Sequence, residues 1–175
     1  MKTYSRLKNI DKLISGNDYF ISHAKKEEYE ELVKGQNPFA LVITCSDSRV
    51  IPEHIFNVPA GSLFVIRTAG NVISEGELAT IEYGLEHLNI KTVVVLAHTH
   101  CGAVHAAIHR EKGKYLAPIL DNIIINIENE KDECVASKKN AIKQVEYIKE
   151  KFKDFDAEIL PMLYDIETLK VTIIE

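Results

Sequence analysis

Apolar runs and helical stripes alternate along the middle of this chain. Phe39-Ala40-Leu41-Val42-Ile43-Thr44 and Thr92-Val93-Val94-Val95-Leu96-Ala97 are continuously apolar, as expected of parallel strands covered on both faces. Leu63 to Arg67 predicts another strand, running into the loop Thr68-Ala69-Gly70-Asn71. Pro52 to Phe56 predicts a short helical turn, and Ser74 with Glu77 forms a capping box. The helix that box opens carries Leu78, Ile81, Leu85 and Leu88 on one stripe and closes at Asn89. A further helix is predicted from about Thr99 to Glu111, broken by Lys112-Gly113-Lys114. Leu116, Ile119, Leu120, Ile123, Ile124 and Ile127 define an amphipathic helix, and Ile142, Val145, Ile148 and Phe152 define another. The charged stretch Glu128 to Lys139 between them reads as a solvated loop or a helix start. Glu158 to Leu163 and Leu169 to Ile174 read as two strands around a turn near Glu167-Thr168.

Residues 1–35 differ in kind: they are polar, charged and helical in pattern. Leu7, Ile10, Leu13 and Ile14 fall at helical spacing with Gly16-Asn17 as the stop, and a second short helix spans Lys25 to Lys34, ending at Gly35. This stretch lacks the apolar density for its own core and reads as an arm on the main domain or on a partner subunit. The expected fold is therefore α/β: a mostly parallel sheet flanked by helices, with a C-terminal antiparallel hairpin and an N-terminal helical arm. One domain, residues 1–175, with residues 1–35 as the arm, accounts for the pattern.

Composition narrows the function. A net charge of −5 gives no broad basic surface for nucleic acid. No apolar run approaches the ~18 residues that span a bilayer. The N-terminus shows no apolar segment of the secretory kind. Three cysteines are too few for a disulfide scaffold. These features predict a cytoplasmic protein in a reducing compartment.

The candidate chemistry sits at the ends of the two most apolar runs. Cys45-Ser46-Asp47-Ser48-Arg49 follows the first, and His98-Thr99-His100-Cys101-Gly102 follows the third. Open α/β sheets bind ligands outside the carboxyl ends of their strands. Cys45, His98 and Cys101 meeting there would make a three-ligand zinc site with a fourth position open, the pattern of a catalytic zinc. A helix starting near Cys101 would favour its thiolate. Two thiolates and a neutral imidazole leave the zinc site with no net charge. Asp47 can orient zinc-bound water or hydroxide, and Arg49 can hold Asp47 away from the metal through a bidentate ion pair. Hydroxide on zinc is a strong nucleophile near neutral pH. The bland reading of Cys45 is a buried free cysteine, and that of Asp47 and Arg49 is an ion pair pinning a loop. Cys134, without such neighbours, reads as a structural thiol. His105 and His109 have a spacing that can bind metal, and His100 could relay protons, but all three read first as surface residues.

Cys45-Ser46-Asp47-Ser48-Arg49 together with His98-x-x-Cys101-Gly102 resembles the β-class carbonic anhydrases. The likeness extends to Gln36-Asn37-Pro38, to Arg67-Thr68-Ala69-Gly70-Asn71 and to Tyr164-Asp165-Ile166-Glu167-Thr168. It implies one zinc per subunit on Cys45, His98 and Cys101, an Asp47–Arg49 dyad, and Asp47 as a conditional fourth ligand in a closed resting form. It also implies Gln36 as a substrate-binding residue. The implied reaction is reversible hydration of carbon dioxide to bicarbonate and a proton, in a homodimer or higher homo-oligomer. Ala97, His100, Val42 and Leu160-Pro161-Met162 depart from the family pattern without removing a ligand or the dyad. Two rivals stand beside this reading. One is a carbonyl sulfide or carbon disulfide hydrolase on the same scaffold, to be marked by a long apolar tunnel or an occluded cleft. The other is a noncatalytic zinc-binding regulatory module, with its fourth position closed.

Overall fold

A computed structural model describes residues 2–175, with side chains from residue 8 onward. The chain divides into two compact units, one ending at Gln36 and the other spanning Asn37–Glu175. Among the described residues no helix is long and apolar enough to cross a membrane.

The first unit holds helix α1 (Lys2–His23), a 3-10 turn (Lys26–Tyr29) and helix α2 (Glu30–Lys34). The expected stop at Gly16-Asn17 is not there: α1 continues for another turn and a half. A glycine in an exposed helix costs only about 1 kcal/mol relative to alanine and still donates its N–H, so the hydrogen-bond ladder carries through. Leu7's side chain lies outside the described residues. Ile10, Leu13, Ile14, Tyr19, Phe20 and Val33 are all exposed.

The second unit is a five-stranded sheet in the order β2-β1-β3-β4-β5. Its strands are β1 (Ala40–Cys45), β2 (Leu63–Thr68), β3 (Thr92–His98), β4 (Glu158–Tyr164) and β5 (Val171–Ile173). β1 pairs in parallel with β2 and β3, β3 pairs in parallel with β4, and β5 closes the edge antiparallel to β4. The helices are α3 (Pro52–Ile55), α4 (Glu75–Glu86), α5 (Gly102–Ile108), α6 (Ala117–Ile127) and α7 (Glu133–Lys151). The expected α/β architecture, with its C-terminal antiparallel pair, is what the chain adopts.

Strand periodicity sorts the core. Leu41, Ile43, Val93, Val95, Ala97, Ile159 and Leu163 face one way and pack with Ile81 and Leu85 of α4 and Val145 and Ile148 of α7. Val42, Val94, Leu96 and Tyr164 face the other way, against Val50, Ile55 and Phe56. Both faces of β1 and β3 are thus covered, which is why their sequences show no alternation. At Gly84 the backbone of α4 comes so near β1 that an added Cβ would lie 2.8 Å from Leu41 Cδ1.

Further helix boundaries differ from expectation, and α4 ends at Glu86 rather than Asn89. α5 starts at Gly102, not Thr99, and ends at Ile108. Thr99 N–H instead donates to Tyr164 O at 3.0 Å, extending the sheet contact, and His100 takes a left-handed φ of 56° that no α-helix accommodates. Arg110, at φ 52°, prevents continuation toward Glu111. In the stretch read as a solvated loop or a helix start, a helix does start: Asp132 caps α7 by accepting from Val135 N–H at 2.8 Å. Ala136, Ser137 and Asn140 then turn inward and are buried.

Candidate metal centre

The sheet order places the site. From β1 the chain moves to β2 on one side, then returns to β3 on the other, so the carboxyl ends of β1 and β3 adjoin at a topological switch point. Cys45 is the last residue of β1 and His98 the last of β3. Cys101 is the N-cap of α5, in extended conformation at φ −74° and ψ 115°. One ligand atom from each of the three lies within 4.8 Å of the others, and all three residues are buried.

The donor set has the chemistry of a cation site. Cys45 Sγ and Cys101 Sγ are 3.9 Å apart. Two Zn–S bonds of ~2.3 Å at a tetrahedral angle would separate the sulfurs by nearly that amount. His98 Nδ1 lies 2.8 Å from Thr99 O. A carbonyl only accepts, so Nδ1 is the protonated nitrogen and Nε2 keeps its lone pair. That Nε2 is fully buried and has no hydrogen-bond partner, an expensive condition for an imidazole unless the lone pair meets a cation. The residues present fit zinc.

The sulfurs are electrostatically prepared. The hydrogen bond with the Cys101 thiol is the main force holding Cys45 below the usual thiol range, helped by the backbone N–H of Gly70 against the opposing effect of burial. Cys101 is pushed up, first by that same bond and then by burial. A cation binds thiolates rather than thiols, so loading such a site would release protons. Gly70 N–H donates to Cys45 Sγ at 3.3 Å. Gly70 has a φ of 66°, and an added Cβ would lie 2.7 Å from Ile123 Cδ1 and 3.2 Å from Ala103 Cβ.

Beside the cluster, Asp47 is bound by Arg49. Its Oδ1 accepts from Arg49 N–H and Nε–H, both at 2.9 Å, and its Oδ2 accepts from Arg49 Nη2 at 2.8 Å. Arg49's side-chain hydrogen bond is the chief reason this carboxyl sits far below the usual carboxylate range. Arg49 Nη2 also donates to His100 O at 3.0 Å. Arg67 Nη2 donates to Asp47 O at 2.7 Å and its Nε to Cys45 O at 3.3 Å. Asp47 is not among the three residues whose ligand atoms cluster.

Cys45, His98, Cys101, Asp47 and Arg49 therefore come together in the second unit. Gln36 is the last residue of the first unit. Cys134 is half-buried, away from the cluster, against the core. His105 and His109 stack with ring centroids 4.2 Å apart, and His105 donates to Glu133 at 2.6 Å. His100 donates to Glu167 at 2.8 Å from an exposed position.

Arg67, Gly70 and Asn140 support the site without having been assigned a role from the sequence. Arg67 had a visible signal, a charge closing an apolar strand beside Cys45's strand. Asn140 had a subtler one: with Gln144 it places two amides four residues apart, among the apolar residues Ala136, Ala141, Val145 and Ile148.

This chain is similar to several known proteins. A family model described as carbonic anhydrase matches residues 40–171. The carbonic anhydrase of Synechococcus elongatus is 47% identical over 104 residues, covering 53% of this chain and 38% of that protein. Carbonic anhydrase 2 of Mycobacterium tuberculosis is 41% identical over 102 residues, covering 55% of this chain and 49% of that one. The alignments thus span less than half the length of these two relatives. Among solved structures, the β-carbonic anhydrase CcaA superposes with a TM-score of 0.74 at 30% identity, covering 100% of this chain and 96% of its own. With the family model matching residues 40–171 and the fold shared with CcaA over the whole chain, the chain belongs to the carbonic anhydrase family, in its β class.

Proposed function

We propose that this protein catalyses the reversible hydration of carbon dioxide to bicarbonate and a proton, with one zinc per subunit held by Cys45, His98 and Cys101. The observation that carries this reading is the convergence of two sulfurs and an unpartnered imidazole nitrogen where β1 and β3 end, next to a carboxylate held by arginine. When bound, zinc supplies Lewis acidity that makes a nucleophile of water near neutral pH.

The chain's own residues do the rest. His98 presents Nε2 because Thr99 O fixes the tautomer. Asp47 uses three of a carboxylate's four acceptor positions on Arg49, leaving one on Oδ2 to accept from and orient the attacking water. Arg49, itself tied to His100 O, keeps Asp47 in this role and off the metal. In a closed resting form Asp47 would release Arg49 and become the fourth ligand. Gln36, nine residues before Cys45, belongs to the proposal by its sequence position, as a hydrogen-bond donor to substrate.

A homodimer or larger homo-oligomer, acting in the cytoplasm, completes the reading. The family resemblance supports it, as do the exposed apolar side chains of α1. Stopped-flow hydration of carbon dioxide across pH, with zinc measured on the same samples, tests the proposal. Zinc-dependent hydration is expected, and full activity in metal-free protein would sink it.

A further inference from the structure

The geometry points to Asn140 as a positioning residue for the metal centre: from α7 it holds the Gly70 turn so that Gly70 N–H stays on Cys45 Sγ. The inference rests on the metal-binding reading above and extends it to residues outside the ligand set.

Asn140 Nδ2 donates to Gly70 O at 2.9 Å, in a position with 0% exposure. Gly70 O is acceptor only, so the amide's orientation is fixed. Its Oδ1 accepts from Asn126 Nδ2 at 2.9 Å and from Gln144 Nε2 at 3.4 Å. Asn122 Oδ1 accepts from the same two amides, at 3.2 and 2.7 Å. Gln144 Oε1 in turn accepts Ile73 N–H at 3.2 Å. The turn after β2 is thereby tied to α7 at Gly70 and at Ile73.

Four carboxamides at an otherwise apolar contact between α6 and α7 are an unusual choice. Apolar side chains would hold two helices together at least as well, whereas a directional network specifies one geometry. The geometry specified here is that of a residue already in a left-handed conformation, wedged against Ile123 and donating to a ligand sulfur. An N–H on a thiolate draws electron density from it. In a site with two thiolates this preserves the cation's Lewis acidity, and groups that orient metal ligands commonly change metal affinity when lost.

The test uses the full chain loaded with cobalt(II) in place of zinc. Its readouts are the thiolate-to-cobalt charge-transfer band and metal affinity by chelator competition. Asn140→Leu keeps the number and branching of the side-chain heavy atoms and deletes the bond to Gly70 O. The band is expected to move to lower energy as the sulfur regains density, with affinity falling roughly tenfold. Ser137→Ala, on the same helix and bonded to Glu133 O, is expected to change neither. A folded Asn140→Leu protein with its band at the wild-type position overturns the inference, whatever its stability. If that variant does not fold, Asn126→Ala removes one of the donors that orient Asn140: a smaller shift in the same direction supports the inference, and no shift overturns it. A wild-type chain that takes up neither cobalt nor zinc overturns the metal reading itself, so the two failures are distinguishable.

Discussion

Asp47 and Arg49, two residues apart, are joined by three hydrogen bonds of 2.8 to 2.9 Å that occupy both carboxylate oxygens. The turn between them folds the guanidinium back onto its neighbour, and Arg67 fixes the turn by binding Asp47 O. Replacing Asp47 with Ala should leave zinc bound while hydration falls by about 10–100-fold, the usual effect of losing a group that orients chemistry on a metal. Stopped-flow rates per bound zinc measure it, and an unchanged rate would strip Asp47 of its role.

The same pair gives a pH-dependent stability. Asp47's folded value is depressed, so its contribution is fully present above the ordinary carboxylate pKa of ~3.9 and is lost as pH falls through the folded value. Asp47→Asn should therefore be less stable than the wild type at neutral pH, and the gap should close in strong acid. Urea melts at a series of pH values read this, and a gap that is constant with pH would refute the linkage.

Cys45→Ala should lose zinc and activity together, because two remaining ligands do not make a zinc site of this kind. Metal analysis and rate assay on one preparation are enough. Retention of both would rule out Cys45 as a ligand.

Chelating the metal should stop hydration, and added zinc should restore it. Binding to the folded state alone also raises stability, by about 2.7 kcal/mol at a free concentration of 100 Kd. The melting temperature should accordingly climb with added zinc in the wild type, and stay flat in Cys45→Ala.

Gly70→Ala tests the turn. Its Cβ would meet Ile123 Cδ1 at 2.7 Å on a backbone at φ 66°, so a loss of about 1–3 kcal/mol is expected in a urea melt. Adding Ile123→Val should recover part of it by making room. Unchanged stability in the single variant would mean the turn yields freely.

Much of this was legible in the chain because its signals are local. Uninterrupted β1 and β3 marked parallel strands, and the Ser74–Glu77 box marked the start of α4, where it forms. The meeting of Cys45, His98 and Cys101 was legible because Cys45 and His98 close those strands. What escaped depends on partners distant in sequence. α5 starts late because Thr99 bonds to Tyr164 and His100 turns left-handed, and neither leaves a trace in apolar spacing. Asn140 drew no notice because the charged stretch before it, Glu128 to Lys139, dominates the window. Its partners lie on another helix and in the turn after β2. Gly16 looked like a terminator because an exposed helix offers no packing pattern to outvote it.

The detour of the chain through β2 before β3 has a consequence for assembly. Cys45 and His98 stand 53 residues apart in sequence and adjoin only once β1 and β3 are zipped together. No local hairpin or lone helix can gather the ligands, so a nascent or half-folded chain has no pincer to offer. On the proposed metal reading, uptake reports on the completed sheet, and zinc would act as a latch that closes behind folding rather than a seed that starts it.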